Sequence, residues 1–88
     1  MFEYHAAYYP IEDGWYLAKL LDFPGVISQG KTLNSARRML RDALREMAAW
    51  ALEEGDALPK PNPKAKDRKA VFSETMKLAL QIRTGVPA

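Results

Sequence analysis

Few side chains in this sequence could act as a nucleophile, a general base or a metal ligand. His5 is the single histidine, and the 88 residues include no cysteine. Ser28, Ser35 and Ser73 have no second histidine and no recognisable activating motif, so a nucleophile–base pair would depend entirely on His5. One histidine and scattered carboxylates also lack the spacing of a metal site. We therefore predict no catalytic residue, no metal site and no cofactor.

Residues 25–32 read Gly-Val-Ile-Ser-Gln-Gly-Lys-Thr and match the phosphate-loop pattern G-x-x-x-x-G-K-T. A phosphate loop joins a strand to a helix, and its backbone N–H groups surround the phosphates. Here the middle residues, 26–29, are β-prone rather than glycine-rich, and a nucleotide-binding fold needs more βα units than 88 residues hold. We therefore interpret the match as coincidence and assign 26–29 to a strand.

Arginines form a row in the middle of the chain. Arg37, Arg41 and Arg45 recur every four residues, with Arg38 beside them, so a helix would present them on one side. A second basic stretch covers residues 64–69. Such a row could contact phosphates or an acidic partner. Alternatively, it is a solvated face whose repulsion is eased by neighbouring acidic side chains.

Aromatic residues are concentrated near the N-terminus. Alternation along residues 2–9 and 15–21 distributes their rings over both faces of a sheet. One helix covers one face, so we expect the other face to be sheltered by a second polypeptide or to stay wet. Because tyrosine and tryptophan carry much of the energy of protein interfaces, the sequence favours a protein–protein surface on this sheet. The aromatic residues are Tyr4, Tyr8, Tyr9, Trp15 and Tyr16.

Local patterns predict the secondary structure. Residues 2–9 and 15–21 alternate as strands, and an Asp-Gly turn between them predicts a hairpin. A Pro-Gly turn precedes a third, short strand over 26–29. Apolar residues then recur every three or four positions behind Thr32, a favourable N-cap residue, which predicts a helix over 33–54.

The C-terminal part of the chain is ambiguous. Residues 75–83 alternate apolar and polar side chains as a strand, although part of this tail equally suits a helix. We favour the strand, because a single helix covers a sheet better when the sheet has four strands. The elements together predict an α+β fold: a curled antiparallel sheet of three to four strands with one long helix packed on one face, in the order β1-β2-β3-α1-β4.

The composition suits a small folded chain, with 48% hydrophobic and 27% charged residues. The net charge of +2 does not demand a nucleic-acid partner. The longest apolar run, Met47 to Leu52, is far shorter than the roughly 20 residues of a membrane span, and no signal peptide is visible. We therefore expect a cytoplasmic protein without a membrane partner.

Several short motifs, taken in order, resemble the HicB-like antitoxin family. They extend from about residue 3 to residue 62. They are Asp13-Gly14-x-Tyr16-x-Ala18, Asp22-Phe23-Pro24-Gly25, Ser28-Gln29-Gly30-Lys31-Thr32, Glu53-Glu54-Gly55 and Leu58-Pro59-x-Pro61. The resemblance implies a partial, catalytically inactive ribonuclease-H-like fold that binds and silences HicA, a small toxin that cleaves messenger RNA. It also implies self-association, and many members carry a C-terminal helix-turn-helix or ribbon-helix-helix segment that binds DNA.

The sequence departs from this family pattern at two places. Ser35 stands where the family usually has an acidic residue, so we expect the reciprocal capping box of the helix to be absent. The 26 residues after Asn62 are too few for a helix-turn-helix domain, so the resemblance supports toxin binding better than DNA binding. We divide the chain into a HicB-like region over 1–62 and a basic linker with a C-terminal strand over 63–88, which completes the same single domain.

We therefore predict a non-enzymatic protein that neutralises a small HicA-like ribonuclease toxin by protein–protein contact and that forms a dimer or tetramer. The predicted partner-binding residues are Tyr9, Trp15, Asp22, Phe23, Pro24 and Gly25. The alternative is a nucleic-acid-binding or orphan regulatory module, and its predicted contacts are Arg37, Arg41 and Arg45. A metal-dependent hydrolase would instead require a cluster of Glu3, Asp22 and Glu46.

Overall fold

A computed structural model describes residues 2–78 as an open, four-stranded antiparallel sheet with one long helix on one face. The elements in chain order are β1 (Glu3–Pro10), β2 (Tyr16–Leu20), β3 (Ile27–Gly30), α1 (Leu33–Glu53) and β4 (Phe72–Lys77). Across the sheet the strands lie in the order β3-β2-β1-β4, so β3 and β4 form its edges. This α+β architecture confirms the fold class predicted from the sequence.

β1 and β2 form the predicted hairpin at the centre of the sheet. Their antiparallel register places Tyr9 opposite Leu17. A short 3₁₀ turn over Glu12–Gly14 joins the two strands. Inside it Asp13 has a φ of 61°, a left-handed conformation that aspartate tolerates better than most residues. The Asp-Gly sequence therefore supplies the backbone conformation that the chain reversal requires.

The turn between β2 and β3 folds towards the core. Phe23 is 5% exposed, and its ring centroid lies 5.1 Å from that of Tyr4. The N–H of Val26 donates to the carbonyl of Phe23 at 3.2 Å. Gly25 has a φ of +92°, which glycine adopts without the steric cost of a Cβ. The turn thus buries Phe23 and directs the chain into β3.

α1 begins almost directly after β3, and the junction is tight. A Cβ on Gly30 would lie 2.4 Å from the backbone nitrogen of Ala36, so only glycine fits there. Thr32 Oγ1 accepts a hydrogen bond from the Ser35 N–H, and the Thr32 N–H donates to Ser35 Oγ, each at 3.0 Å. The prediction that the capping box is absent is therefore wrong, because the serine hydroxyl accepts the bond that a carboxylate usually accepts.

The core lies between α1 and one face of the sheet. Ala36, Leu40, Leu44 and Ala48 recur along the helix and are fully buried. The sheet residues that meet them are Tyr4, Ala6, Tyr8, Ala18, Leu20 and Met76. Outside this buried stripe α1 carries charged residues together with the exposed apolar residues Met39, Trp50 and Leu52. In the described part of the chain no helix combines the length and hydropathy that a bilayer crossing requires.

β4 confirms that residues 72–77 form a strand rather than a helix, which includes positions 75–77 of the predicted strand. It pairs antiparallel with β1, with Tyr4 opposite Met76 and Tyr8 opposite Phe72. The strand begins three residues earlier than the predicted 75–83, because pairing with β1 extends to Phe72. Positions 79–83 of the predicted strand lie outside the described residues.

The chain itself covers part of the second face of the sheet, which lies opposite the helix. Residues 60–70, here called the connecting segment, run from the end of the α1 region to β4. Ala7, on this face, has no exposed surface. The Tyr9 hydroxyl donates to Asp67 at 2.7 Å, and Ala65 and Lys66 lie close to His5 across a small cleft. We expected a second polypeptide to cover this face. Part of the face is instead covered by residues of this chain.

Candidate partner-binding surface

Asp22 joins the end of β2 to two distant parts of the chain. Its carboxylate accepts hydrogen bonds from the His5 N–H at 2.8 Å and the Asn62 N–H at 2.9 Å. His5 Nδ1 lies 2.7 Å from Oδ2 of the same carboxylate and donates to it, since an ionised carboxylate only accepts. The Asp22 side chain is 2% exposed. This cluster fixes the start of the connecting segment against the sheet.

The charge of Asp22 is stabilised by these donors. Burial by itself raises the pKa of the Asp22 carboxyl, but the hydrogen bonds from His5 and Asn62 outweigh burial and lower it below the usual value. Tyr4 forms a further long-range contact near this cluster, because its hydroxyl donates to the Pro59 carbonyl at 2.7 Å. The Leu-Pro-x-Pro motif is therefore docked against the same end of the sheet.

The predicted partner-binding residues fall into two separate groups. Asp22, Phe23, Pro24 and Gly25 follow β2, whereas Tyr9 and Trp15 lie at the opposite end of the hairpin. Within the first group Asp22 and Phe23 are buried, and only Pro24 and Gly25 are exposed. The first two side chains hold the turn in place, and a partner could touch only the last two.

Tyr9 and Trp15 are both half-buried on the second face. Lys19 Nζ lies 5.2 Å from the Tyr9 ring centroid, and Lys31 Nζ lies 5.8 Å from that of Trp15. Burial, then the hydrogen bond to Asp67 and its negative charge, raise the pKa of Tyr9 to about 12. Tyr9 thus remains a hydrogen-bond donor at neutral pH, and both rings keep an accessible edge.

The arginine row is divided between two roles. Arg37 forms a bidentate ion pair with Glu74 of β4, with Nε at 2.8 Å from Oε2 and Nη2 at 2.9 Å from Oε1. The Tyr8 hydroxyl donates to the same carboxylate at 2.6 Å. Arg41 and Arg45 are exposed, and Arg45 lies 4.0 Å from Asp42 one turn away. Arg37 therefore ties the helix to β4, and nucleic-acid binding by the row stays a prediction.

The carboxylates considered for a hydrolase do not gather. Within residues 2–78, no group of three His, Cys, Asp or Glu side chains is placed to hold a metal ion. Glu3 lies on β1, Asp22 is enclosed by its hydrogen-bond donors, and Glu46 is exposed on α1. In this arrangement the Asp22 carboxylate acts as a structural hydrogen-bond acceptor.

The exposed tryptophan of α1, Trp50, was not identified from the sequence. Trp50 is 60% exposed and lines a groove of about 330 Å³ with Gly25, Ile27, Ala43, Glu46 and Met47. Helical spacing places Met39, Ala43, Met47 and Trp50 along one flank of α1, about a quarter-turn from the buried residues. The apolar stripe of α1 is thus wider than its buried contact with the sheet. This extra width is visible in the sequence and is the signal that could have identified the exposed flank at Trp50.

Comparison with known proteins agrees with the motifs. The profile of the UPF0150-like family matches residues 4–59, more than half of the chain. Antitoxin HicB 1 of Photorhabdus laumondii is 33% identical over 58 residues, which cover 66% of this chain but only 37% of that relative's length.

The fold also has solved counterparts. The crystal structure of the N-terminal domain of Burkholderia pseudomallei antitoxin HicB superposes with a TM-score of 0.76 and 21% identity, covering 89% of this chain and 99% of that one. A second crystal structure, of the Burkholderia pseudomallei antitoxin HicB, gives a TM-score of 0.71 at 21% identity and covers 99% of this chain and 76% of that one. The chain therefore belongs to the UPF0150-like family and is similar in sequence and fold to HicB antitoxins.

Proposed function

We propose that this protein binds a small mRNA-cleaving toxin of the HicA-like type and neutralises it by covering its RNA-binding surface. The observation that carries the proposal is the 58-residue match to a HicB antitoxin. The family profile matches residues 4–59, which include nearly all of the hairpin, the Asp22 turn and α1. The exposed rings support it, because tryptophan and tyrosine at the surface favour protein partners. The interaction would take place in the cytoplasm, where messenger RNA is translated.

The proposed contacts are those of the predicted residues that a partner can reach. Tyr9 and Trp15 offer half-buried rings, and Pro24 and Gly25 form an exposed turn. Asp22 and Phe23 contribute indirectly, because they are buried and hold this turn in its conformation. Self-association into a dimer or tetramer is part of the proposal and is measured by sedimentation velocity.

Co-expression tests the proposed function. Any small basic protein encoded beside this gene is induced in a host with and without this chain, and growth and transcript integrity are followed. We expect this chain to restore growth and to co-purify with the small protein. Trp15→Ala should weaken both effects, whereas Val71→Ala, at an exposed apolar residue remote from Trp15 in the sequence, should not. Continued growth arrest and no retained partner would refute the proposal.

A further inference from the structure

Among residues 2–78, β3 is an edge strand that pairs with β2 alone and leaves backbone hydrogen-bonding groups unpaired. Ser28 and Gly30 lie opposite Ala18 and Tyr16. The Leu20 N–H donates to the Val26 carbonyl, which fixes the phase of the antiparallel ladder. Because hydrogen-bonded and non-hydrogen-bonded pairs alternate, the N–H and C=O groups of Ile27 and Gln29 point away from β2. This edge can therefore accept a further strand.

A tryptophan and a carboxylate lie at each end of this edge. At the Ile27 end, Trp50 and Glu46 line the groove of about 330 Å³ described above. At the Gln29 end, Trp15 lines a groove of about 490 Å³ together with Ile11, Glu12, Asp13 and Gln29. Both grooves meet β3, so one extended segment could occupy the edge and reach both.

The carboxylates that line these grooves, Glu12, Asp13 and Glu46, outnumber the one cation beside them in residues 2–78, Lys31. Among residues 2–78, Glu12, Asp13 and Glu46 form no ion pair, and all three are exposed. The arginine row lies on the other flank of α1, where Arg37 meets Glu74, so it does not neutralise this edge. Lys31 already rests 5.8 Å from the Trp15 ring, which shows that a cation fits against that indole.

We propose that the β3 edge binds an extended, cation-bearing segment of a partner protein by strand addition, with basic side chains placed against Trp15 and Trp50 and beside Glu12, Asp13 and Glu46. This inference rests on the proposed function for the kind of partner, and it adds where and by what chemistry that partner is held. The backbone bonds supply the docking geometry, and the paired aromatic and acidic groups select for positive charge.

A second copy of this chain fits the edge less well. In an antiparallel pairing of two β3 strands about Ser28, Ile27 of one copy faces Gln29 of the other. That arrangement brings Glu46 of each copy towards Glu12 and Asp13 of the other, so like charges meet at both ends. A basic partner meets the opposite charge at both ends instead.

An NMR titration of the ¹⁵N-labelled chain tests the surface directly. The probe is a capped eight-residue peptide, Val-Arg-Arg-Val-Val-Arg-Arg-Val, whose arginine pairs present cations on both faces of the added strand. We expect it to shift the Ile27 and Gln29 amide signals and both tryptophan indole signals. Two matched peptides should not: one with glutamate in place of arginine, and one N-methylated at every second residue, which keeps the charge but cannot form the ladder. No shift with the first peptide, or equal shifts with all three, would overturn the proposal.

Paired variants locate the contact. Trp50→Ala and Glu46→Lys should each weaken peptide binding about tenfold, as expected for contacts that dominate an interface. Leu52→Ala and Glu53→Lys make the same kinds of change at exposed positions of α1 outside the groove and should leave binding within about twofold of the parent. If instead Trp50→Ala abolishes a dimer seen by sedimentation velocity, a second copy occupies the edge and the proposal is wrong.

The two proposals fail in different ways. If the peptide does not bind while Glu46→Lys still neutralises the toxin, the β3 surface is wrong and the antitoxin function stands. If the peptide binds as described while the parent chain never restores growth, the surface stands and the antitoxin function is wrong.

Discussion

Asp22 is a buried carboxylate on which three hydrogen-bond donors converge. Two come from His5 and one from Asn62, so a single side chain connects residues 17 and 40 positions away in the sequence. A buried acceptor of this kind is costly to leave unsatisfied, and its partners are equally costly to leave without it. The Asp-Phe-Pro-Gly turn therefore depends on contacts that the motif itself does not contain.

Replacement of Asp22 by asparagine should destabilise the protein by about 1–3 kcal/mol, because one acceptor oxygen becomes a donor that faces other donors. The effect should also depend on pH. The folded pKa of Asp22 is lowered, so its stabilising contribution is present above the unfolded value of about 3.9 and is lost as the pH falls through the folded value. Urea unfolding at neutral and acidic pH measures both effects.

Asp56→Asn provides the control for this prediction, since the Asp56 side chain is exposed and forms no hydrogen bond within residues 2–78. The parent and Asp56→Asn should lose stability in parallel as the pH falls, whereas Asp22→Asn should start lower and lose less. Equal stability of Asp22→Asn and the parent at neutral pH would show that the cluster is dispensable.

At the scale of elements, β3 and α1 approach each other closely at Gly30. Gly30 leaves no room for a side chain, and the reciprocal Thr32–Ser35 bonds begin the helix two residues later. The Ser-Gln-Gly-x-Thr motif thus encodes a close approach and a cap. The helix limits follow from these local signals, and the predicted range 33–54 ends one residue beyond the observed Glu53.

Gly30→Ala should destabilise the fold by about 1–3 kcal/mol, the usual cost of forcing extra atoms into a packed site. The added Cβ would lie 2.4 Å from a backbone nitrogen and 2.8 Å from the Ala36 Cα, neither of which can move without shifting the helix. Thermal unfolding followed by circular dichroism measures the loss. Ser28→Ala in the same strand adds no atom and should change the midpoint little; an unchanged midpoint for Gly30→Ala would contradict the close approach.

At the scale of the whole molecule, the connecting segment decides how much of the second face stays free. The Lys64 N–H donates to Asn62 Oδ1 and the Lys69 N–H donates to Asp67 Oδ1, each at 3.0 Å, so two side-chain turns shape the segment. Tyr9 then anchors it to the sheet through Asp67. The proline- and lysine-rich connecting segment, whose sequence indicates an exposed linker, is therefore held against β1.

Tyr9→Phe should loosen this segment without unfolding the sheet. Loss of one charge-assisted hydrogen bond should raise trypsin cleavage after Lys66 and Arg68 about fivefold, because local opening becomes easier by roughly 1 kcal/mol. Timed digestion with mass spectrometry measures these rates. Tyr16→Phe removes a hydroxyl that makes no hydrogen bond among residues 2–78 and should leave them unchanged. Equal cleavage of both variants would show that Asp67 does not anchor the segment.

Local signals were sufficient to predict the hairpin, the helix and the fold class, because alternation, helical periodicity and turn residues act between neighbours in the chain. The start of β4, the burial of Asp22 and Phe23, the pairing of Arg37 with Glu74 and the docking of the connecting segment were not predictable in this way. Each depends on residues 17 to 64 positions apart, whose proximity arises only when the sheet has formed. The exposure of the flank at Trp50 was not predictable for the same reason. Whether an apolar residue of a helix is buried or exposed depends on how wide a sheet lies beneath the helix.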